Sequence, residues 1–323
     1  MPAVLIPIIQ IMKITYFINF FPSANKIYVQ DEISVLQQKG YDVNLIAVWG
    51  GDKEKAVKLD FPVIYLDKNK TYWKSLIGFF LKNPFKTISH LMHLFNYLGF
   101  RESFKYFSQY GNMGLVHSDR IHAHFASNAA LRGLLVSQYY KIPFSCTGHS
   151  TELLLVKAPY LKYLIKHANS FITISAYNKK FLANRYSLPE KIIKVNYCGV
   201  DTNYYKNTSE NRNSLPLKII SVTSMRKAKG VEYLVAACQL LKRHNIDFEC
   251  SLIGGGPNLV EMAALIQKLN LDSNIRLYGA MTPEKIKESL MESSVFVLPS
   301  LLEGIPISVM EAMSMELAVI ASN

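Results

Sequence analysis

Two glutamates stand eight positions apart in a segment whose composition suits the binding of a phosphorylated ligand. The segment covers residues 299–311, Pro-Ser-Leu-Leu-Glu-Gly-Ile-Pro-Ile-Ser-Val-Met-Glu, and contains Glu303 and Glu311. The pattern predicts a strand that ends at Leu298 and a helix that begins near Pro306. Glu303 then lies in the loop and Glu311 lies one turn into the helix, so both carboxylates are expected to face one ligand.

The predicted helix start also supplies hydrogen-bond donors. The first backbone amides of an α-helix have no partner inside the helix and lie at the positive end of its dipole. The N–H groups of Ile307, Ser308 and Val309 are therefore expected to bind a diphosphate. The plainer alternative is that the two acids only stabilise a helix N-terminus.

Short β-rich runs alternate with helical runs along the whole chain, which predicts βαβ units and parallel sheets. Strands are predicted at residues 13–19, 42–48, 63–66, 120–125, 143–147, 170–174, 218–222, 249–253, 275–278, 295–298 and 318–321. A polar segment rich in Asn, Ser and Thr, residues 201–216, separates domains predicted at 1–200 and 217–323. The predicted fold class is α/β, with two Rossmann-like domains whose parallel sheets are expected to face each other across a ligand cleft.

Composition narrows the class of protein further. The 323 residues are 50% hydrophobic, which suits two folded domains and excludes a disordered chain. The four cysteines have unrelated spacings and are expected to be buried thiols of a reducing compartment. Residues 1–11 lack the basic region and cleavage site of a signal peptide, and Met12 is an alternative start. No apolar run reaches 18 residues, so we expect a cytoplasmic protein without a membrane span.

The positive charge is concentrated in the first half. Residues 1–200 hold 24 basic and 11 acidic residues, a net charge of +13, whereas residues 201–323 carry −1. Between residues 68 and 107, aromatic side chains are interleaved with lysines and arginines. This segment either forms helices packed on the first sheet with solvated lysines, or lies on an anionic membrane surface.

The Glu303–Glu311 segment resembles the E-x7-E signature of family 4 glycosyltransferases, which are retaining, nucleotide-sugar-dependent enzymes with the GT-B fold. Segments at 21–43, 122–125, 142–149, 174–182, 198–201 and 222–230 resemble other patterns of the family, in the same order. The stretches at 122–125, His-Ala-His-Phe, and at 142–149 are similar to the exopolysaccharide and colanic-acid branch.

The resemblance implies roles for four residues. Glu311 would bind the ribose hydroxyls of the nucleotide, and Glu303 would lie beside the donor sugar. Lys229 would neutralise the diphosphate leaving group, and His149 would contact the donor sugar from the acceptor domain. In this family a cation and helix amides replace a metal, so no metal and no cofactor are expected beyond the nucleoside-diphosphate sugar as co-substrate.

The sequence departs from the family pattern at two places. The family's Gly-Arg pair falls on Thr223-Ser224, so the arginine that shares the diphosphate with Lys229 is missing. Arg226 or Lys227 is expected to reach the same charge, and Arg226 is preferred because residues 224 and 226 share one face of an extended segment. The chain also stops shortly after a predicted strand, where relatives continue, so the donor domain is expected to be truncated at its C-terminal end.

The resemblance implies a retaining transferase that moves a hexose to a glycan or polyprenyl-linked acceptor in surface polysaccharide synthesis. The enzyme is expected to be cytoplasmic, peripheral on the inner face of the cell membrane, and not to bind nucleic acid. One alternative is a GT-B homologue that binds nucleotide sugar or a partner without transfer. Two minor alternatives are a serine hydrolase, from Gly148-His149-Ser150, and an NAD enzyme, from the glycines at 254–256.

Overall fold

The computed structural model describes residues 11–22, 27–51, 59–66, 77–78, 80–81, 83–101, 103–104, 118–154, 159–208 and 216–322. Several predicted features lie outside these ranges in whole or in part. They are the start of the chain at 1–10, Ser23 of the first family segment, much of the aromatic and basic segment at 68–107, and residues 209–215 of the predicted linker.

The chain divides into two compact units, Met1–Asn196 and Tyr197–Asn323. The first unit holds seven parallel strands in the order β3-β2-β1-β4-β5-β6-β7. The strands are β1 Lys13–Ile18, β2 Asp42–Ala47, β3 Val63–Tyr65, β4 Arg120–His124, β5 Phe144–Gly148, β6 Ser170–Thr173 and β7 Ile193–Val195. The helices are α1 Ile27–Gln38, α2 Pro84–Leu98, α3 Asn128–Tyr140, α4 Thr151–Leu154, α5 Pro159–His167 and α6 Ala176–Tyr186, with a 3-10 turn at Glu190–Ile192.

The core of the first unit lies on both faces of this sheet, as expected where helices cover a parallel sheet. Phe17, Phe144 and Phe171 are each at most 1% exposed, and helix α3 packs over the central strands. Gly133 permits this close packing, because a Cβ atom there would lie 2.9 Å from the ring of Phe144. The strand order reverses between β1 and β4, which places a ligand-binding crevice at the carboxyl ends of these two strands.

The second unit repeats the design with five parallel strands in the order β10-β9-β8-β11-β12. The strands are β8 Leu217–Val222, β9 Phe248–Ile253, β10 Ile275–Gly279, β11 Val295–Leu298 and β12 Ala318–Ala321. The helices are α7 Val231–Arg243, α8 Leu259–Lys268, α9 Pro283–Met291 and α10 Ile307–Ser314, with a 3-10 turn at Lys227–Lys229. Here the order reverses between β8 and β11.

The predicted alternation of strands and helices and the parallel pairing are confirmed. Strand β7 and helix α5 were not predicted, because a three-residue strand and a nine-residue helix give little periodicity to detect. The units divide between Asn196 and Tyr197, and Tyr205 is buried in the core of the second unit, so the start of the predicted linker is packed structure. Within the described ranges, no helix combines the length and the apolar character that crossing a bilayer requires.

Candidate functional site

The loops that follow β8 and β11 meet at the point where the strand order of the second sheet reverses. Strand β8 ends at Val222 and leads into the 3-10 turn Lys227–Lys229, and β11 ends at Leu298 and leads into the loop with Glu303. Because β8 and β11 are paired neighbours, their carboxyl ends are adjacent. This arrangement is the usual position of a ligand crevice in a parallel sheet.

Lys229 and Glu303 form an ion pair at this crevice. The Nζ atom of Lys229 donates to Oε1 of Glu303 over 2.6 Å, and the Oγ of Ser300 donates to the same oxygen over 2.8 Å. The side chains of Lys229 and Glu303 are 22% and 25% exposed, so the pair is partly shielded from water but reachable by a ligand. Ser300 is a further site residue that the sequence analysis did not single out.

Backbone contacts hold the two loops together. The amides of Leu301 and Leu302 both donate to the carbonyl of Ala228, over 2.9 and 3.3 Å. Gly230 has φ of +60°, and a Cβ atom at this position would lie 2.2 Å from the carbonyl oxygen of Pro299. The glycine therefore lets the Lys229 loop approach the loop that carries Glu303.

Helix α10 begins at Ile307, as the sequence predicts, directly after Pro306. The amide of Val309 donates to the carbonyl of Pro306 over 3.1 Å. The expectation that Val309 offers an unpaired amide is therefore wrong, because the first turn of the helix closes on Pro306. The amides of Ile307 and Ser308 stand earlier in the same turn, at the positive end of the helix.

Glu311 contacts Tyr205, which lies in the segment before strand β8. Its carboxylate hydrogen-bonds the side chain of Tyr205, and Ser314 of the same helix donates to the backbone carbonyl of Tyr205 over 2.6 Å. Burial raises the pKa of Glu311, although the hydrogen bond with Tyr205 opposes this effect. Nothing in the spacing of the sequence identified Tyr205, because it joins Glu311 only through the tertiary fold.

Arg226 does not extend β8. Its amide donates to the carbonyl of Ser224 over 2.8 Å, so the backbone turns after Val222, and the expected shared face of residues 224 and 226 is wrong. The Arg226 side chain is exposed and lines a cavity of about 280 Å³ formed with residues of α7 and α8. Lys229 and Glu303 are not among the described residues that line this cavity.

The glycines at 254–256 serve packing rather than the dinucleotide loop considered from the sequence. Gly254 has φ of +143°, and a Cβ atom there would lie 1.7 Å from the carbonyl oxygen of Thr223. A Cβ atom at Gly256 would lie 2.4 Å from the carbonyl oxygen of Met225. These glycines allow the loop after β9 to cross directly over the segment that leads from β8 towards Lys229.

In the first unit, His149 follows β5 in a loop fixed by its neighbours. Its backbone amide donates to Oε1 of Glu152 over 2.6 Å, and its carbonyl accepts from Nδ2 of Asn178 over 2.6 Å. Its ring lies against Phe125, with centroids 4.6 Å apart. Glu152 thus acts as a cap at the start of α4. This loop therefore gives no support to the alternative of a serine hydrolase, which requires a strained turn at its nucleophile.

The His149 ring joins a cluster of polar side chains at the carboxyl end of β4. Nδ1 of His124 lies 3.1 Å from Nε2 of His149, and Nε2 of His124 lies 3.1 Å from Oε2 of Glu32. The hydroxyl of Tyr16 donates to Oε1 of Glu32 over 2.5 Å. Among the described residues, Glu32, His122 and His124 are the group whose ligand atoms all lie within 4.8 Å of one another, as metal binding requires.

Comparison with known proteins assigns the chain to a family. A family model described as Glycosyltransferase Family 4 matches residues 26–204, more than half of the chain. The chain belongs to glycosyltransferase family 4. A second model, described as Glycosyl transferases group 1, matches residues 206–323. The second match contains Lys229, Glu303 and Glu311 of this glycosyltransferase, and the first contains His149.

Curated relatives and solved structures agree with this assignment. The glycosyltransferase is 25% identical over 341 aligned residues to the colanic acid biosynthesis glycosyltransferase WcaL of Salmonella typhimurium, covering 96% of this chain and 82% of WcaL. It is 30% identical over 141 residues to the amylovoran biosynthesis glycosyltransferase AmsK of Erwinia amylovora, covering 42% of this chain and 35% of AmsK.

Two solved structures resemble the whole glycosyltransferase in fold. A glycosyltransferase from Rickettsia africae matches with a TM-score of 0.69 at 19% identity, covering 97% of this chain and 80% of the other. Anabaena Alr3699/HepE, solved with UDP and glucose, matches with a TM-score of 0.64 at 16% identity, covering 96% and 80%. The glycosyltransferase therefore has the GT-B fold predicted from its sequence.

Proposed function

We propose that this glycosyltransferase moves a hexose from a nucleoside-diphosphate sugar to a glycan or polyprenyl-linked acceptor, with retention of the anomeric configuration. The observation that carries the proposal is the Lys229–Glu303 ion pair at the point where the second sheet reverses its strand order. A cation held at such a crevice suits a ligand with a negatively charged diphosphate.

The diphosphate gains negative charge as its bond to the sugar breaks, so the transition state is stabilised by fixed positive groups. Lys229 supplies a full charge, and the amides of Ile307 and Ser308 supply the positive end of helix α10. Arg226 is proposed as the second cation, because it is exposed and stands three residues before Lys229 in the same loop. These groups are proposed to replace a metal at the diphosphate.

The remaining site residues are proposed to bind the other parts of the donor. Glu303, fixed by Lys229 and Ser300, lies beside the sugar, and Glu311 accepts hydrogen bonds from the ribose hydroxyls. His149 is proposed to contact the sugar from the first unit. The raised pKa of Glu311 supports a binding role, because acids whose pKa is shifted by burial are common at functional sites.

The names of the relatives support a place in surface polysaccharide synthesis. WcaL is named for colanic acid and AmsK for amylovoran, and both are glycosyltransferases of polymer biosynthesis. Among the solved structures, Anabaena Alr3699/HepE was solved with UDP-glucose and Staphylococcus aureus TarM with UDP and a glycosylated glycerol. UDP-sugars are therefore the first donors to test for this enzyme.

A donor screen tests the proposal. Purified full-length chain is incubated with UDP-, GDP- and ADP-hexoses, and both binding and release of the nucleoside diphosphate are measured. We expect binding and slow hydrolysis of one donor class, and NMR of the product sugar is expected to show the anomer of the donor. Donor binding without release of the nucleoside diphosphate, either to water or to an added acceptor, would favour the alternative of a non-catalytic homologue. A product sugar with the opposite anomeric configuration would exclude retention.

We also propose that the first unit rests on an anionic membrane surface on the cytoplasmic side. Helix α2 buries Leu91 and Leu94 in the core, while Phe85 and Met92 on another side are 88% and 61% exposed. Leu81, just before the helix, is 80% exposed. Exposed apolar side chains in a unit with a net charge of +13 suit a surface of acidic headgroups.

Vesicle sedimentation tests the membrane proposal with the full chain. Binding is expected with vesicles that contain phosphatidylglycerol and is expected to weaken as salt rises, because charges are screened beyond about 8 Å at physiological ionic strength. Phe85→Ser should weaken binding, whereas the exposed Val260→Ser in the second unit serves as the matched control. Equal binding to neutral and acidic vesicles, or to neither, would count against the proposal.

A further inference from the structure

Two histidines converge at the carboxyl end of β4. His122 and His124 are two residues apart in the strand, so their side chains lie on the same face of the sheet. Their rings lie 5.0 Å apart in a T-shaped arrangement. The strand is one of the two between which the first sheet reverses its order, so the pair stands at a crevice where ligands bind in such folds.

Helix α1 brings a carboxylate to the same place. Oε2 of Glu32 lies 3.1 Å from Nε2 of His124, and the ligand atoms of Glu32, His122 and His124 all lie within 4.8 Å of one another. Zinc takes nitrogen and oxygen ligands at about 2.0–2.2 Å in a tetrahedral arrangement, which puts two ligands roughly 3.3 Å apart. The Glu32–His124 separation meets this requirement.

Each of the three side chains is also oriented by an outer partner. Nδ1 of His124 lies 3.1 Å from Nε2 of His149, and Nδ1 of His122 lies 2.7 Å from the Oγ of Ser145. The second oxygen of Glu32 accepts from the hydroxyl of Tyr16. Outer contacts of this kind, on the far ring nitrogen of a histidine and the far oxygen of a carboxylate, fix metal ligands in place.

We propose that Glu32, His122 and His124 bind one divalent transition-metal ion, best matched by zinc, with a fourth position open to water or a ligand. Two imidazoles and one carboxylate with an open position form the donor set of catalytic rather than structural zinc sites. With zinc on Nε2 of a neutral His124, the single ring proton lies on Nδ1 and is donated to Nε2 of His149. The site belongs to the first unit and does not depend on the proposed transfer chemistry.

Zinc titration of the full chain tests the proposal. The protein is purified through a tag without histidines, stripped with a chelator, dialysed and titrated with zinc chloride in a calorimeter, with bound zinc counted by mass spectrometry. One zinc per chain is expected. His124→Ala and Glu32→Gln should bind zinc more than about 100-fold more weakly, and Tyr16→Phe, which changes an outer partner, about 10- to 100-fold more weakly.

His93→Ala is the matched control, because it removes an exposed histidine of α2 outside the cluster and should bind zinc as the parent chain does. Circular dichroism of each zinc-free variant verifies its fold, and the near-isosteric Glu32→Gln keeps the test valid if His124→Ala does not fold. Absence of stoichiometric zinc binding in the parent chain would overturn the proposal. Zinc binding that persists unchanged in Glu32→Gln would overturn it equally.

Discussion

Nζ of Lys229 lies 2.6 Å from Oε1 of Glu303, although 74 positions separate the two residues in the chain. Neither residue stands in a strand or an α-helix; each belongs to a connection that leaves one of two paired strands, β8 and β11. The geometry of the pair therefore depends on the loops after these strands. Substitutions in the loops test whether the pair is the centre of the site.

Removing the Ser300 hydroxyl should loosen Glu303 without unfolding the unit. Ser300→Ala deletes one of two hydrogen bonds to the charged Oε1 of Glu303, a contact worth about 1.5–3 kcal/mol, so turnover of the donor should fall roughly 10-fold or more. Release of the nucleoside diphosphate is the measurement. Ser273→Ala, whose hydroxyl bonds Asn274 on the surface, is the control, and equal rates for the two variants would contradict this role.

A methyl group at Gly230 should push the two loops apart. Gly230→Ala places Cβ about 2.2 Å from the carbonyl oxygen of Pro299 at a φ of +60°, so the backbone must shift. We expect a loss of at least about 1 kcal/mol in the free energy of unfolding in urea, together with reduced turnover. Gly199→Ala, where nothing lies within 4 Å, should change neither. An unchanged Gly230→Ala protein would show that the loops are not tightly coupled.

Glu311 should make stability depend on pH. Because burial raises its pKa above the ordinary 4.5, the folded chain holds this proton more tightly than the unfolded chain. The contribution of Glu311 to the free energy of unfolding is therefore expected to decrease as pH rises from about 4.5 through the raised pKa. Glu311→Gln should remove this decrease and give a higher Tm than the parent chain at pH 7.

The same substitution should weaken nucleotide binding, since an amide replaces the charged acceptor of the ribose hydroxyls. A charged hydrogen bond contributes about 1.5–3 kcal/mol, which corresponds to roughly 10- to 150-fold in affinity. Calorimetry with the nucleoside diphosphate measures this loss. A Glu311→Gln protein that binds nucleotide normally and unfolds with the parent's pH dependence would refute the assignment of Glu311.

Arg226 and Ser224 test how the diphosphate charge is met. If Arg226 supplies the second cation, Arg226→Ala should lower turnover by about 10- to 150-fold, the range for one charged hydrogen bond. Ser224→Arg should raise turnover, because it restores an arginine at the position where the family pattern has one. Lys227→Ala, which removes a neighbouring exposed cation, is the control. If both Arg226→Ala and Ser224→Arg leave turnover unaltered, Lys229 and the helix amides act alone.

Local patterns predicted the strand ends and the start of helix α10 because these depend on spacing within a few residues. The family resemblance assigned Lys229 and Glu303 to one donor site, but their ion pair was not predicted. The contacts of Glu311 with Tyr205 and of Glu32 with His124 could not be predicted, since the partners lie on separate elements and meet through the fold. The turn at Ser224–Arg226 was missed because the glycines at 254–256 bring another loop across that segment.

Donor turnover in Lys229→Met tests the central claim most directly. Methionine keeps the length of the side chain but removes the charge that is proposed to stabilise the leaving diphosphate. The measurement is release of UDP, or of the nucleoside diphosphate that the donor screen identifies, by the parent chain, Lys229→Met and the control Lys227→Met. We predict a decrease of about 10- to 150-fold for Lys229→Met and none for Lys227→Met. Equal rates for all three proteins would contradict the assignment of the diphosphate site to the Lys229–Glu303 pair.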